Sequence, residues 1–157
     1  MRTELYKITT GGLLHDIGKV VYRTGDRHTH THTESGYAFL KEQAALEDEE
    51  ILQQVRFHHA GELKNAGLAK NSLAYITYIA DNIASAADRR KSDVQGYGFS
   101  RDLSLDSIFN LLNGNDEQMK YAPKVLDGSI NYPTSRSIQY DETFYSGCLD
   151  NIRDSIK

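Results

Sequence analysis

Apolar positions along this chain recur with a helical rather than an alternating rhythm. Leu13, Ile17, Val20 and Val21 follow i, i+4, i+7 and i+8, which predicts one helix from about Thr3 to Arg23, stopped at Gly25. Thr31 and Glu34 have capping-box spacing, so a second helix is expected to open there and run to about Ala45. The acidic run from Glu47 to Glu50 suits the start of a third, whose inward face would carry Ile51, Leu52, Val55, His58 and His59. Asn71 or Ser72 can cap a fourth, from Leu73 to about Arg90, with an apolar stripe of Leu73, Ile76, Ile79, Ala80, Ile83, Ala84 and Ala87. Beyond Ser92 the rhythm fades. A short helix over Leu105 to Leu112, an extended or hairpin segment over Tyr121 to Tyr140 and a last helix over Phe144 to Ile156 are expected. The predicted fold is mostly α, with a short extended or hairpin segment in the C-terminal third, and residues 1–157 read as a single domain.

Composition narrows the function more than the fold. A length of 157 residues supports a real core, and 25% charged residues fit a soluble globular domain. No apolar run is long enough to span a bilayer, and the N-terminus lacks the features of a signal peptide, so a cytoplasmic protein without a membrane partner is expected. Cys148 is the only cysteine, which excludes an internal disulfide. The net charge of −4 argues against a domain that grips many phosphates by itself.

The chemistry gathers where histidine and aspartate depart from the apolar stripes. In Gly11-Gly12-Leu13-Leu14-His15-Asp16-Ile17-Gly18-Lys19, His15 and Lys19 face away from the predicted stripe and Asp16 lies on its border. Glycine costs a helix about 1 kcal/mol relative to alanine, so the Gly11-Gly12 pair implies a close approach to the backbone. Within His28-Thr29-His30-Thr31-His32, the first two histidines read as loop, and His32, in the first turn of a helix, reads as a ligand. His58 and His59 are adjacent inward imidazoles, each needing partners for its nitrogens, and a metal supplies one. Asp81 interrupts an alanine-rich helix, where an unpaired carboxylate is costly. Asp88 reads instead as balancing Arg89-Arg90-Lys91. Imidazole with carboxylate suits Mn, Fe, Co, Ni or Zn more than Ca, and Mn, Ni or Co are the expected ions, with Mg as a further option.

Taken in order, these residues resemble the HD superfamily of metal-dependent phosphohydrolases. The His-Asp pair lies near the N-terminus with no histidine before His15. That arrangement is similar to the permuted HD domain that opens the large subunit of type III-A (Csm) CRISPR effector complexes. His32 with Gly36 and Phe39-Leu40, then Phe57-His58-His59, then Tyr78-Ile79-Ala80-Asp81-Asn82-Ile83-Ala84-Ser85, Asp88-Arg89-Arg90 and Ser137-Ile138-Gln139-Tyr140 carry the same likeness. The resemblance implies a compact HD-type helical domain and a metal-dependent nuclease cutting single-stranded DNA. It implies partners in the other subunits and guide RNA of the effector complex, through a longer subunit of which this chain is the N-terminal part. It also implies metal ligation by His15, Asp16, His59 and Asp81, with His32 and His58 at a second metal or beside the first, so one or two ions. Asp16 and Lys19 are the expected catalytic residues, Lys19 neutralising charge on the phosphate. The Gly-Gly-Asp-Asp motif of the family's cyclase-like domains does not occur here, so that activity is not expected. Two other readings stay open: an HD phosphohydrolase acting on nucleotides or cyclic dinucleotides, and a non-catalytic assembly domain that a metal stabilises.

Overall fold

A computed structural model describes residues 2–25, 31–88, 105–110, 118–121, 128–133 and 141–156. His28, His30, Arg89 to Lys91, Gly96 to Gly98 and Ser137 to Tyr140 lie outside the described residues, as does the side chain of Asp88. The chain divides into two units, residues 1–92 with 141–157, and residues 93–140.

The first unit is helical. Its elements are α1 (Arg2–Leu14), α2 (Ile17–Arg23), α3 (His32–Ala38), α4 (Glu49–Arg56), α5 (Ala60–Asn65), α6 (Ala74–Asp88) and, from the chain's end, α7 (Glu142–Ile156). The single helix expected over 3–23 is two helices, broken at His15-Asp16. Asp16 takes φ −97°, ψ 9°, and its carbonyl accepts from Lys19 N–H at 2.9 Å to start α2. The break changes the phase of the apolar stripe. Ile17 and Val21 are buried, but Leu13, at the end of α1, is 81% exposed.

Thr31 caps α3 by accepting from Glu34 N–H at 3.3 Å, as the capping-box spacing predicts. A π-helical turn over Phe39–Gln43 continues α3, closed by Ala44 N–H donating to the Phe39 carbonyl at 3.0 Å. It sets Phe39 and Leu40 into a core shared with Ile17, Val21, Leu52 and Val55. Leu149 of α7 joins that core, and Arg23 donates to the Tyr145 hydroxyl at 2.7 Å.

α2 crosses α3 at two glycines. A β-carbon at Gly18 would collide with the His32 carbonyl and stand 2.7 Å from Gly36 N, so the two backbones touch only because neither carries a side chain there.

On α6 the predicted face is reversed. Leu73 is buried as expected, but Ile76, Ile79 and Ile83 are exposed, and Ala74 and Thr77 are buried instead. α6 packs against α4 and α1. Its inward side is small and polar because a buried glutamine, Gln54, meets it there through the Thr77 hydroxyl at 2.8 Å.

In the second unit, Leu105 and Asp106 form β1, which pairs antiparallel with β2 (Lys120–Tyr121). This replaces the start of the helix expected over 105–112. The Asn110 carboxamide fixes the ladder's end, donating to the Met119 carbonyl at 2.9 Å and accepting from Met119 N–H at 3.0 Å. A side chain so engaged with backbone favours a turn over a helix.

Candidate metal centre

The break between α1 and α2 builds one wall of the site. His15 donates from Nδ1 to the Gly12 carbonyl at 2.7 Å, so a neutral His15 carries its lone pair on Nε2. That nitrogen stands 3.4 Å from Asp16 Oδ2 and 3.6 Å from Asp81 Oδ1. Asp16 occupies the N-cap position of α2 without capping it. An aspartate there ordinarily bonds to the helix amides. Here the carboxylate turns away, its Oδ2 held by Lys19 Nζ at 2.6 Å.

The other wall is three imidazoles. His32 opens α3. His58 and His59 lie beyond the end of α4 rather than on its face, with His59 as the N-cap residue of α5. A helix ending at Arg56 frees both rings to turn in the same direction, which adjacent positions on a helix do not allow. His58 is fully buried and donates from Nδ1 to the Val55 carbonyl at 2.7 Å, leaving Nε2 as its lone-pair nitrogen. His32 Nε2 lies 3.3 Å from His58 Nε2 and 3.0 Å from His59 Nε2. One nitrogen from each of the three lies within 4.8 Å of the others.

Asp16 joins the walls. Its Oδ1 faces His32 Nε2 at 3.4 Å and His58 Nε2 at 3.7 Å, and this buried oxygen has no hydrogen-bond partner. Ring nitrogens of four histidines and carboxylate oxygens of two aspartates thus confront one another. Such an arrangement is held together by a proton or a cation between them. Burial alone would raise the Asp16 carboxyl. The imidazole of His58 and the ammonium of Lys19 facing it, with His15, override burial and hold it well below the usual carboxylate range. Burial pushes His32 down to about 4, against the attraction of Asp16, and His58, His59 and Lys19 lower it further. Burial likewise lowers His59. A site with ionised carboxylate and neutral imidazole at neutral pH is in the protonation state that metal ligation requires. The orphaned Asp16 Oδ1 and the convergent imidazoles fit a divalent cation.

All six residues expected from the sequence, His15, Asp16, His32, His58, His59 and Asp81, therefore meet. Lys19 meets Asp16, with its side chain more than half exposed. What the sequence did not reveal is which neighbouring residues set the spacing. Gly18 and Gly36 bring His32 close to the α2 corner. Ser85 donates to Asp81 Oδ1 at 3.4 Å. Glu34 and Arg56 clamp α3 to α4 through paired hydrogen bonds of 3.0 Å. Of these roles, only that of the glycines has a signal in the sequence, since both lie inside predicted helices.

A family model described as HD domain matches residues 2–86, more than half of the chain. The chain belongs to the HD domain family. HD domains bind divalent metals, and the imidazole cluster here is a place for one. Curated relatives of this HD domain carry the name CRISPR system single-strand-specific deoxyribonuclease Cas10/Csm1 (subtype III-A). The chain is 37% identical to that of Enterococcus italicus over 156 residues, covering 93% of this chain and 21% of the relative. It is 31% identical to that of Mycobacterium tuberculosis over 182 residues, covering 98% and 22%. The chain thus spans about a fifth of the length of the curated relatives it matches. Among solved structures, Csm1 of T. onnurineus matches with a TM-score of 0.59 at 23% identity, over 96% of this chain and 22% of that one. A Csm1-Csm4 subcomplex of the type III-A CRISPR-Csm interference complex matches with a TM-score of 0.57 at 23% identity, over 96% and 21%. These likenesses establish the helical HD fold.

Proposed function

We propose that this HD domain is a metal-dependent nuclease that hydrolyses phosphodiester bonds of single-stranded DNA within a type III-A CRISPR effector complex, and that residues 1–157 act in it as one HD-type domain of a longer cytoplasmic subunit. The observation that carries the reading is the buried, unpartnered Asp16 Oδ1, turned between two imidazole nitrogens. The similarity to the Cas10/Csm1 deoxyribonucleases supports the substrate.

His15, Asp16, His59 and Asp81 would hold the principal cation, with His32 and His58 at a second ion or beside the first. The placement of Asp16 between the two walls, one oxygen toward each, favours two ions. Nitrogen-rich ligation favours Mn, Ni or Co over Mg. Bound there, the cation supplies Lewis-acid polarisation of the phosphate and acidifies water. The chain's own residues do the rest. The Gly12 and Val55 carbonyls hold His15 and His58 with Nε2 toward the site. Lys19 orients Asp16, and its exposed ammonium would neutralise charge on the attacked phosphate. Other subunits and guide RNA of the effector complex are the proposed partners, reached through the longer polypeptide.

The test is one panel: labelled single-stranded DNA, duplex DNA, RNA and nucleotides, each with Mn, Ni, Co, Mg or chelator. Cutting of the single strand alone, abolished by chelator and by Asp16→Ala in a folded protein, is the expected result. Undiminished cutting by Asp16→Ala overturns the proposal. Nucleotide turnover alone redirects it to a phosphohydrolase, and metal-dependent melting with no turnover to an assembly domain.

A further inference from the structure

Outside the imidazole cluster, the most enclosed polar side chain among the described residues is Gln54, at 0% exposure. Both polar atoms of its carboxamide are engaged. Nε2 donates to the Lys7 carbonyl of α1 and to the Glu50 carbonyl of its own helix, both at 3.0 Å, and Oε1 accepts from the Thr77 hydroxyl of α6 at 2.8 Å. A methyl group added at Gly11 would collide with this carboxamide, which explains the first of the paired glycines in α1. Gly12, by contrast, has nothing within 4 Å of where its β-carbon would stand, and its carbonyl holds His15.

The three positions so joined share one relationship to the site. Gly11 precedes His15 by four residues, Gln54 precedes His58 by four, and Thr77 precedes Asp81 by four. Four residues is about one helical turn. One buried contact thus fixes α1, α4 and α6 against one another a turn before each delivers a group to the cluster. The nearest consequence is the 3.6 Å separation of His15 Nε2, just past the end of α1, from Asp81 Oδ1 on α6.

We propose that Gln54, with Thr77 and Gly11, is a positioning layer that sets the spacing of His15, His58 and Asp81 and thereby the affinity of the site for its cation. The proposal rests on the metal-binding reading above. None of the three touches the cluster, so the layer acts through the helices. A polar contact suits the task because its direction is fixed. An apolar contact of the same size tolerates sliding between helices, whereas a carboxamide bonded to three elements does not.

The experiment measures Mn(II) binding by calorimetry on the full 157-residue chain, with thermal melting alongside. Thr77→Val keeps the shape of the side chain and removes the hydroxyl. Its Mn(II) affinity is expected to fall about ten-fold, the scale of losing an outer partner of a metal ligand. Thr77→Ser, which keeps the hydroxyl, is expected to stay within about two-fold of the native protein on that same scale. Leu149→Ala truncates the core at α7 and is expected to lower the melting temperature while leaving Mn(II) affinity unchanged. Should Thr77→Val not fold, Thr77→Ala carries the same expectation. Native-like Mn(II) binding by the hydroxyl-free variant overturns the inference alone, as does an equal loss of affinity in Leu149→Ala. A native protein that binds none of Mn(II), Ni(II) and Co(II) overturns the metal-binding reading and this inference with it.

Discussion

Glu34 and Arg56 meet through two parallel hydrogen bonds of 3.0 Å, two residues after His32 and two residues before His58. The Arg56 guanidinium also lies 4.4 Å from the centre of the Tyr37 ring. The pair spans α3 and α4 beside the imidazole cluster without entering it. Both side chains are more than a third exposed, so the pair is worth little by itself, about 0–1 kcal/mol. Arg56→Ala is expected to cost about 1 kcal/mol in urea unfolding once the ring contact is included. Arg56→Lys loses the paired geometry and is expected to recover only part of it.

Removing the central carboxylate should separate metal binding from folding. Asp16→Asn keeps the shape and removes the charge of a buried oxygen that has no partner. Without metal, its melting temperature is expected to fall modestly, because the interactions with His58 and Lys19 that outweigh burial of the charge are lost. Its Mn(II) affinity is expected to fall by more than about 100-fold, beyond the range for outer-partner changes. Calorimetry together with thermal melting in chelator checks both halves.

The crossing of α2 and α3 predicts a cost that no charge explains. Gly18→Ala places a methyl group against the His32 carbonyl and Gly36 N. Backbone atoms cannot turn aside as a side chain can, so a loss of about 1–3 kcal/mol is expected from overpacking. Gly12→Ala, with open space around it, is expected to be neutral or mildly stabilising, since alanine favours a helix. Urea midpoints of the two variants, measured side by side, test the contrast.

Acidity should weaken the metal-free protein in two separate stages. His32 is held at about 4, below its ordinary 6.5, so the unfolded chain takes up its proton first. Stability is then full above pH 6.5 and declines as pH falls from 6.5 toward 4. Asp16, whose carboxyl is depressed in the folded state, contributes above its unfolded value of 3.8, and that contribution is lost only below it. Unfolding midpoints in chelator across pH 7 to 3 are expected to show the upper stage, and His32→Gln is expected to shrink it to the part that His59 contributes while leaving the lower one.

The helices were legible in the apolar rhythm, and the six polar residues in their order along the chain, which resembles the HD pattern. Asp81 is the clearest case, a carboxylate amid alanine and isoleucine. The outward turn of Ile76, Ile79 and Ile83 was not legible. A hydrophobic stripe ordinarily marks the buried face, and nothing local reveals that α6 buries Thr77 against a glutamine from another helix. The break at His15-Asp16 was equally hidden, since neither proline nor glycine stands there. His58 and His59 were expected on α4, and the helix instead ends before them.

That break has a bearing on how this motif travels between proteins. Successive residues of an uninterrupted helix diverge by about 100°, so a neighbouring pair on a straight rod would grasp in two directions. At a corner the same two neighbours close on one point, much as thumb and forefinger do. Copying the two letters into a straight helix of another scaffold would carry over the spelling and leave the pinch behind.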